Sequence, residues 1–131
     1  PHGLAIAITL PHVIRYNFKE PTKLAMWPKY EYFRADEDYA QIARYLGLPG
    51  NTKEELKEAL VKKVIDLAHS VGVTLSLKAN GVDKAHFDKV VDHLAELAFG
   101  DQCTTANPKE PLVSELKQIM IDEYDGKNVE K

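Results

Sequence analysis

Histidines are the residues of this chain with the widest chemistry, because imidazole binds metal ions, carries protons and titrates near neutral pH. The sequence has five of them. Histidines that share a metal ion on one helix are normally three or four residues apart. His2 and His12 are ten residues apart, which is about 15 Å of helical rise. His86 and His93 are seven apart, or about 10 Å. Neither pair has chelating spacing, so no complete metal site is predicted.

The simplest interpretation of four histidines is that they are partly exposed residues on helices: His12, His69, His86 and His93. The residues alone favour the same interpretation for His2. Its position is nevertheless unusual, because it starts an apolar segment, in which exposure of an imidazole is hard to arrange. Cys103 is the single cysteine, and no histidine lies near it in sequence. We therefore expect Cys103 not to act as a nucleophile, since no base is at hand to activate its thiol.

The composition and charge of the chain exclude several classes of protein. The 131 residues are 44% apolar and 28% charged, which predicts one globular domain with a core of its own. A net charge of −3 without a basic stripe argues against nucleic acid as a partner. The apolar stretch 4–10 is too short to cross a bilayer. With one cysteine, which fits a reducing compartment, we expect a cytoplasmic protein with no membrane partner.

Helical periodicity dominates the chain, and the sequence predicts an all-α helical bundle. Predicted helices follow the first apolar segment at 36–46, 52–71, 84–99 and 114–124. The expected N-caps are Asp36 or Asp38, then Thr52 in a capping box with Glu55, then Asp83. Their inward faces are expected to include Ile42, Leu46, Leu67 and Val71. The tail 125–131 is expected to fray.

The first helix and the connection after it are unusual. Residues 4–10 are apolar on every side except at Thr9, and such a helix is normally buried in a larger body. Pro11 is expected to bend or split it, because proline removes a backbone donor and crowds the preceding turn. Residues 18–35 form a long connection, and loops of that length are usually functional or pinned to a neighbour.

Two blocks of residues resemble the iron-containing alcohol dehydrogenases. In HGLAIAITLPHVIRYN, residues 2–17, His-Gly precedes small and apolar residues, then Leu-Pro-His-Val and an aromatic-Asn pair. DQCTTANP, residues 101–108, is similar to the family's Asp-x-Cys…Asn-Pro loop. Residues 21–52, with LAFGDQC and ELKQIMIDEYDG, are similar to the end of the fused bifunctional acetaldehyde/alcohol dehydrogenases. The resemblance covers almost the whole chain.

This resemblance implies that residues 1–131 are the C-terminal, metal-side part of a dehydroquinate-synthase-like helical domain. The family's metal, Fe²⁺ or sometimes Zn²⁺, is held by one aspartate and three histidines. The last of these histidines maps onto His2, and the other ligands and the NAD-binding domain lie outside the chain. Asp101, Cys103 and Asn107 fall in a loop near the cleft. No residue is expected to be catalytic independently of the metal, and no cofactor-binding residue is identified.

The implied activity is NAD-linked reduction of an aldehyde, such as acetaldehyde, to the alcohol, such as ethanol, by hydride transfer. The chain alone is expected to be inactive and to hold no cofactor stably. Expected partners are the rest of the parent polypeptide, a small alcohol or aldehyde, and further copies in a homo-oligomer or filament. Ile6, Thr9 and Lys109 depart from the family's common Asn, aliphatic residue and Arg. The loss of a polar residue at Ile6 predicts weaker support for the ligand.

Two other interpretations are consistent with the same sequence. The chain could be a non-catalytic helical module that kept the fold and lost the metal, and that serves assembly or partner binding. Alternatively it is a free-standing helical binding domain whose contact surface is the aromatic-rich segment 26–33.

Overall fold

The computed structural model describes residues 1–22 and 32–130, and within them it contains five α-helices and no β-strand. The helices are α1 (His2–Phe18), α2 (Ala35–Tyr45), α3 (Lys53–Ser70), α4 (Lys84–Gly100) and α5 (Val113–Asp125), with a 3-10 turn at Gln102–Ala106. The predicted all-α fold is confirmed. None of these helices is long and apolar enough to cross a membrane. Most of the aromatic-rich segment 26–33 lies outside the described residues.

Capping chemistry explains where two of the helices begin. The Thr52 hydroxyl accepts a hydrogen bond from the Glu55 amide at 3.1 Å, and the Glu55 carboxylate accepts one from the Thr52 amide. Asp83 accepts a hydrogen bond from the His86 amide at 2.8 Å. Both predicted caps are therefore confirmed, and each satisfies backbone donors that the first helical turn leaves unpaired.

The predicted cap of α2 is wrong. This helix begins after Arg34, and no side chain caps it. Asp36 and Asp38 lie inside its first turn, where their negative charges interact favourably with the positive end of the helix dipole. Asp38 is also held by the Arg34 guanidinium at 2.9 Å, so it is committed to an ion pair and is not available as a cap.

Helix α1 is the central element, since it packs against α2, α3 and α5. Its buried side includes Ile8, Ile14 and Phe18. Pro11 was predicted to bend or split this helix. The helix runs through Pro11 without interruption, so a split is wrong, and a bend stays a prediction. Apolar contacts on both sides of the proline offset the loss of one backbone hydrogen bond.

The other helices pack in two pairs, α2 with α3 and α4 with α5. Small residues, Ala40 and Ala43, bring α2 close to Leu56 and Leu60 of α3. In the second pair, the rings of Phe87 and Tyr124 stack with centroids 4.6 Å apart. Aromatic pairs of this geometry stabilise a core beyond the area that they bury.

Four predictions of buried apolar residues are wrong. Ile42 and Leu46 are 47% and 49% exposed, because the alanines of α2 and not its larger residues face α3. Leu67 and Val71 are 62% and 70% exposed. The fully buried residues of α3 all lie within 56–61, so the C-terminal half of this helix extends past its main partners.

The C-terminal tail is ordered against the core, contrary to the prediction that it would fray. Gly126 ends α5 in the left-handed conformation, at φ +66°, and turns the chain back. Val129 is only 5% exposed and packs with Ile8 and Leu75. Glu130 accepts hydrogen bonds from the Leu75 amide and from the His69 ring. The tail therefore joins the first helix to the loop after α3.

Glu123 is a buried carboxyl group in the contact between α5 and α1, at 7% exposure. Burial raises its pKa to about 7, with the Asp122 carboxylate adding to the rise and Thr9 opposing it. The folded state therefore favours the protonated carboxyl group. Its contribution to stability is fully present below pH 4.5 and is lost as the pH rises to about 7.

We expect Glu123→Gln to remove this pH dependence. The variant should gain free energy of unfolding over wild type above pH 7 but not below pH 4.5, by roughly 3 kcal/mol at most. Urea unfolding followed by circular dichroism at both ends of this range measures the difference. Glu96→Gln, at an exposed position of α4, is the matched control. A constant difference between Glu123→Gln and wild type at all pH values would contradict the assignment.

Candidate functional site

The first turn of α1 presents His2 to solvent. A Cβ atom added at Gly3 would meet no heavy atom within 4 Å, so space beside the imidazole is open. In residues 1–22 and 32–130, no three His, Cys, Asp or Glu side chains come together as a group that could hold a metal ion.

One face of α1 is apolar and has no cover in the described part of the chain. Ile6 is 52% exposed and Leu10 is 41% exposed, while Ile8 on the opposite side is buried. The Thr9 hydroxyl lies between the two faces and donates a hydrogen bond to the Ala5 carbonyl at 3.0 Å. Thr9 thus satisfies its own polar group within the helix, and the exposed face stays apolar.

The loop predicted to lie near the cleft begins at Asp101. Its carboxylate accepts a hydrogen bond from the Cys103 amide at 2.7 Å and so starts the 3-10 turn. Thr104 ties the same turn to α4 by a hydrogen bond to the Ala98 carbonyl. Cys103 is exposed. A hydrogen bond to Asp101 and the repulsion of its negative charge raise the pKa of the Cys103 thiol, which disfavours the thiolate that a nucleophile needs.

Cys103 and Asn107 line a groove of about 420 Å³ between the 3-10 turn, α1 and α5. Its other walls are largely apolar and include Val13 and Leu116. Val13 lies eleven residues after His2, which is about 16 Å along the helix. Two of the predicted cleft residues are thus brought together with the C-terminal half of α1, and not with His2. Asp101 shapes the turn without lining the groove.

A pair of side-chain amides joins α1 to this loop. The Nδ2 atom of Asn17 donates to Oδ1 of Asn107 at 2.9 Å, and Nδ2 of Asn107 donates to Oδ1 of Asn17 at 2.9 Å. Asn17 is 3% exposed. Asn107 also donates to the Lys109 carbonyl at 2.7 Å. We refer to Asn17 and Asn107 as the amide pair.

Charged residues surround the amide pair. The Lys109 ammonium is buried, donates to the Lys19 carbonyl at 2.8 Å and lies 4.0 Å from the centre of the Tyr16 ring. The Tyr16 hydroxyl donates to Glu115 at 2.8 Å, and the same carboxylate accepts from the Leu112 amide. Burial, with Glu115 nearby, raises the pKa of Tyr16. The C-terminal end of α1 is therefore fixed to the loop before α5 and to the first turn of α5 by several polar contacts.

His12 is a residue that sequence analysis assigned wrongly. It was predicted to be partly exposed, yet it is 7% exposed, and its Nε2 atom makes no hydrogen bond within the described residues. Burial lowers the pKa of His12. It borders a cavity of about 490 Å³ between α1 and α5. Its position four residues after the apolar Ile8, on the same helix face, is the signal for burial. Exposure of His69, His86 and His93 is confirmed.

Comparisons with known proteins agree with the helical architecture and the two motif blocks. Residues 1–124 match the family described as "Fe-containing alcohol dehydrogenase family, C-terminal". The aldehyde-alcohol dehydrogenase of Streptococcus pneumoniae D39 is 46% identical over 125 residues, which cover 95% of this chain and 14% of the relative. The bifunctional aldehyde-alcohol dehydrogenase AdhE of Escherichia coli K12 is 44% identical over 131 residues, covering 98% and 15%.

A third relative is a shorter protein. The NADPH-dependent butanol dehydrogenase of Clostridium saccharobutylicum is 38% identical over 130 residues, which cover 99% of this chain and 30% of the relative. The chain thus spans from about one-seventh to less than one-third of the length of these curated relatives. The match over nearly the whole chain, on an all-helical fold, shows that this chain belongs to the Fe-containing alcohol dehydrogenase family.

Proposed function

We propose that the chain is the metal-side helical part of a longer, iron-dependent alcohol dehydrogenase that reduces an aldehyde, such as acetaldehyde, with NADH in the cytoplasm. The observation that carries this proposal is the family match over residues 1–124. This range includes His2, which is exposed at the N-terminal end of α1. Relatives at 44% and 46% identity are named aldehyde-alcohol dehydrogenases. A further relative is named an NADPH-dependent butanol dehydrogenase, so assays should compare NADH with NADPH.

His2 is the residue that would hold the metal ion. Its imidazole is exposed and the space next to Gly3 is open, which suits a ligand that meets further ligands from outside the chain. Imidazole is a good ligand for both Fe²⁺ and Zn²⁺, and catalytic sites of these metals normally have at least three protein ligands. A bound ion of this kind supplies a Lewis acid that polarises the carbonyl group of the aldehyde.

The contribution of α1 is to position His2 and to exclude water. Buried contacts at Ile8 and Ile14 fix the helix in the core, so the imidazole at its first turn has a rigid base. The apolar face with Ile6 and Leu10 would be covered by the rest of the parent polypeptide. A dry surface beside the ligand strengthens electrostatic interactions with the substrate.

The groove beside Cys103 is the part of the chain suited to contact a small alcohol or aldehyde. Its walls are mostly apolar, with the Cys103 thiol and the Asn107 amide as polar groups. Because Asp101 raises the pKa of the Cys103 thiol, we assign Cys103 a contact role and no covalent role.

Replacement of His2 tests its role as a ligand. In the full-length protein, His2→Ala should remove metal and turnover together, with turnover falling by more than about 100-fold, because even groups behind a ligand are worth 10- to 100-fold. Elemental analysis and the absorbance of NADH measure the two quantities. His93→Ala changes an exposed helix histidine and should leave both unchanged. The 131-residue chain alone should show neither stoichiometric iron nor turnover. An undiminished His2→Ala enzyme would overturn the assignment.

A second substitution separates a contact role of Cys103 from a nucleophilic one. In the full-length enzyme, Cys103→Ala should keep turnover within roughly tenfold of wild type, whereas loss of a nucleophile costs several orders of magnitude. The measurement is kcat with normal metal content verified in the same sample. Abolished turnover at unchanged metal content would show that the thiol takes part in the chemistry.

Self-association tests whether the apolar face of α1 is an interface. At roughly 25 cal/mol for each Å² of apolar area removed from water, the exposed face drives association. We expect dimers or larger species of the 131-residue chain in light scattering, and a shift toward monomer in Leu10→Lys. Leu67→Lys, which changes an exposed leucine of α3, is the matched control. A monomeric wild-type chain at high concentration would contradict this proposal.

A further inference from the structure

We propose that the amide pair is a positioning device that fixes the Cys103 turn against α1 and thereby sets the shape of the substrate groove. Asn17 and Asn107 touch each other by two hydrogen bonds of 2.9 Å. Both side chains also border the groove, and their proposed role is to hold its two walls at a fixed separation. The inference rests on the proposed function for the identity of the substrate, while the positioning itself is a property of the structure.

The 3-10 turn depends on contacts at its two ends. None of its residues is buried. At the N-terminal end, Asp101 caps the turn and Thr104 bonds to α4. At the C-terminal end, the chain reaches Asn107, whose side chain bonds to α1 and to the Lys109 carbonyl. The amide pair thus connects the turn to the helix on the opposite side of the groove.

Asparagine suits this connection for a specific chemical reason. Each amide has one donor group and one acceptor directed at its partner, so the two side chains form a closed pair in one relative orientation. Because Asn17 is 3% exposed, a mismatched group in its place would leave a polar atom unpaired away from water. The pair therefore specifies both the distance and the angle between α1 and the loop.

The consequence for the groove follows from its lining. Val13 and Tyr16 form one side of it, and Cys103 and Ala106 form the other. Asn17 follows the first side directly in sequence, and Asn107 follows the second. A change in the amide pair therefore changes the separation of the two walls. This affects the binding of substrate in the groove more than the chemical step at the metal-side end of α1.

The test is Asn17→Asp in the full-length protein. An ionised carboxylate accepts one hydrogen bond from Asn107 but places its second oxygen opposite the Oδ1 acceptor. The Cys103 thiol is already exposed in the wild type, so its alkylation rate reports the fraction of thiolate and not access. A loosened turn separates the thiol from the Asp101 carboxylate that raises the pKa of the thiol. We therefore expect the alkylation of Cys103 by N-ethylmaleimide, followed on its tryptic peptide by mass spectrometry, to become roughly tenfold faster, the factor expected when a buried hydrogen bond is lost. The KM for aldehyde should rise by roughly tenfold, with kcat changed by no more than about twofold.

Acidic pH provides the rescue experiment for the same variant. A protonated carboxyl group has one donor and one acceptor, like the amide that it replaces, so the pair should form again. The ratio of alkylation rates between variant and wild type, taken at each pH, should return toward one at mildly acidic pH. The ionisable groups around the pair are Tyr16 from α1, Lys109 from the loop before α5 and Glu115 from α5, with Lys19 directly after α1. They are common to both proteins, so the ratio removes their effect.

Asn51→Asp is the matched control, because it makes the same chemical change at an exposed asparagine. It should alter neither the alkylation rate nor the KM. If Asn17→Asp matches wild type in both measurements, or if its faster alkylation is not reversed in acid, the amide pair does not position the turn. If the wild-type full-length protein lacks alcohol dehydrogenase activity, the proposed function fails, and the alkylation rates still decide whether the pair fixes the turn.

Discussion

The burial of α1 between two helix pairs is the constraint on which the rest of the structure depends. Ile8 meets the tail and the loop after α3, and Ile14 and Phe18 continue the buried side along the helix. Because α1 touches α2, α3 and α5, it connects one helix pair to the other. One side of α1 packs into this chain's own core, and the exposed apolar face is the opposite side of the same helix.

The two ends of α1 carry different parts of the proposed chemistry. His2 lies at the first turn and is open to ligands from outside the chain. The last turn is fixed by the amide pair and by the contact of Tyr16 with Glu115. A continuous, packed helix between them makes the metal end and the groove end parts of one element. A helix holds two residues several turns apart in a fixed relative position, whereas a loop does not.

Much of the fold was accessible from the sequence, because periodicity and capping are local signals. The capping box at Thr52 and the N-cap at Asp83 each involve residues three positions apart, and both were predicted correctly. Burial was harder to predict from the sequence, since it depends on which face of a helix packs against another element. Leu67 is exposed and His12 is buried for this reason, although hydropathy alone suggests the reverse. The amide pair joins residues 90 positions apart, so no local pattern could have revealed it.

The ordered tail has a consequence for the order in which this chain can fold during synthesis. Ile8 and Val129 are 121 residues apart in the sequence, yet the two share one cluster with Leu75. While the ribosome is still adding residues near 129, the inner side of α1 lacks part of its cover. The pair α2 and α3 can assemble from neighbouring sequence before that point, but the core around Ile8 closes only after Val129 has left the ribosome. A growing chain therefore presents α1 to chaperones, or to other nascent chains, until Val129 has emerged.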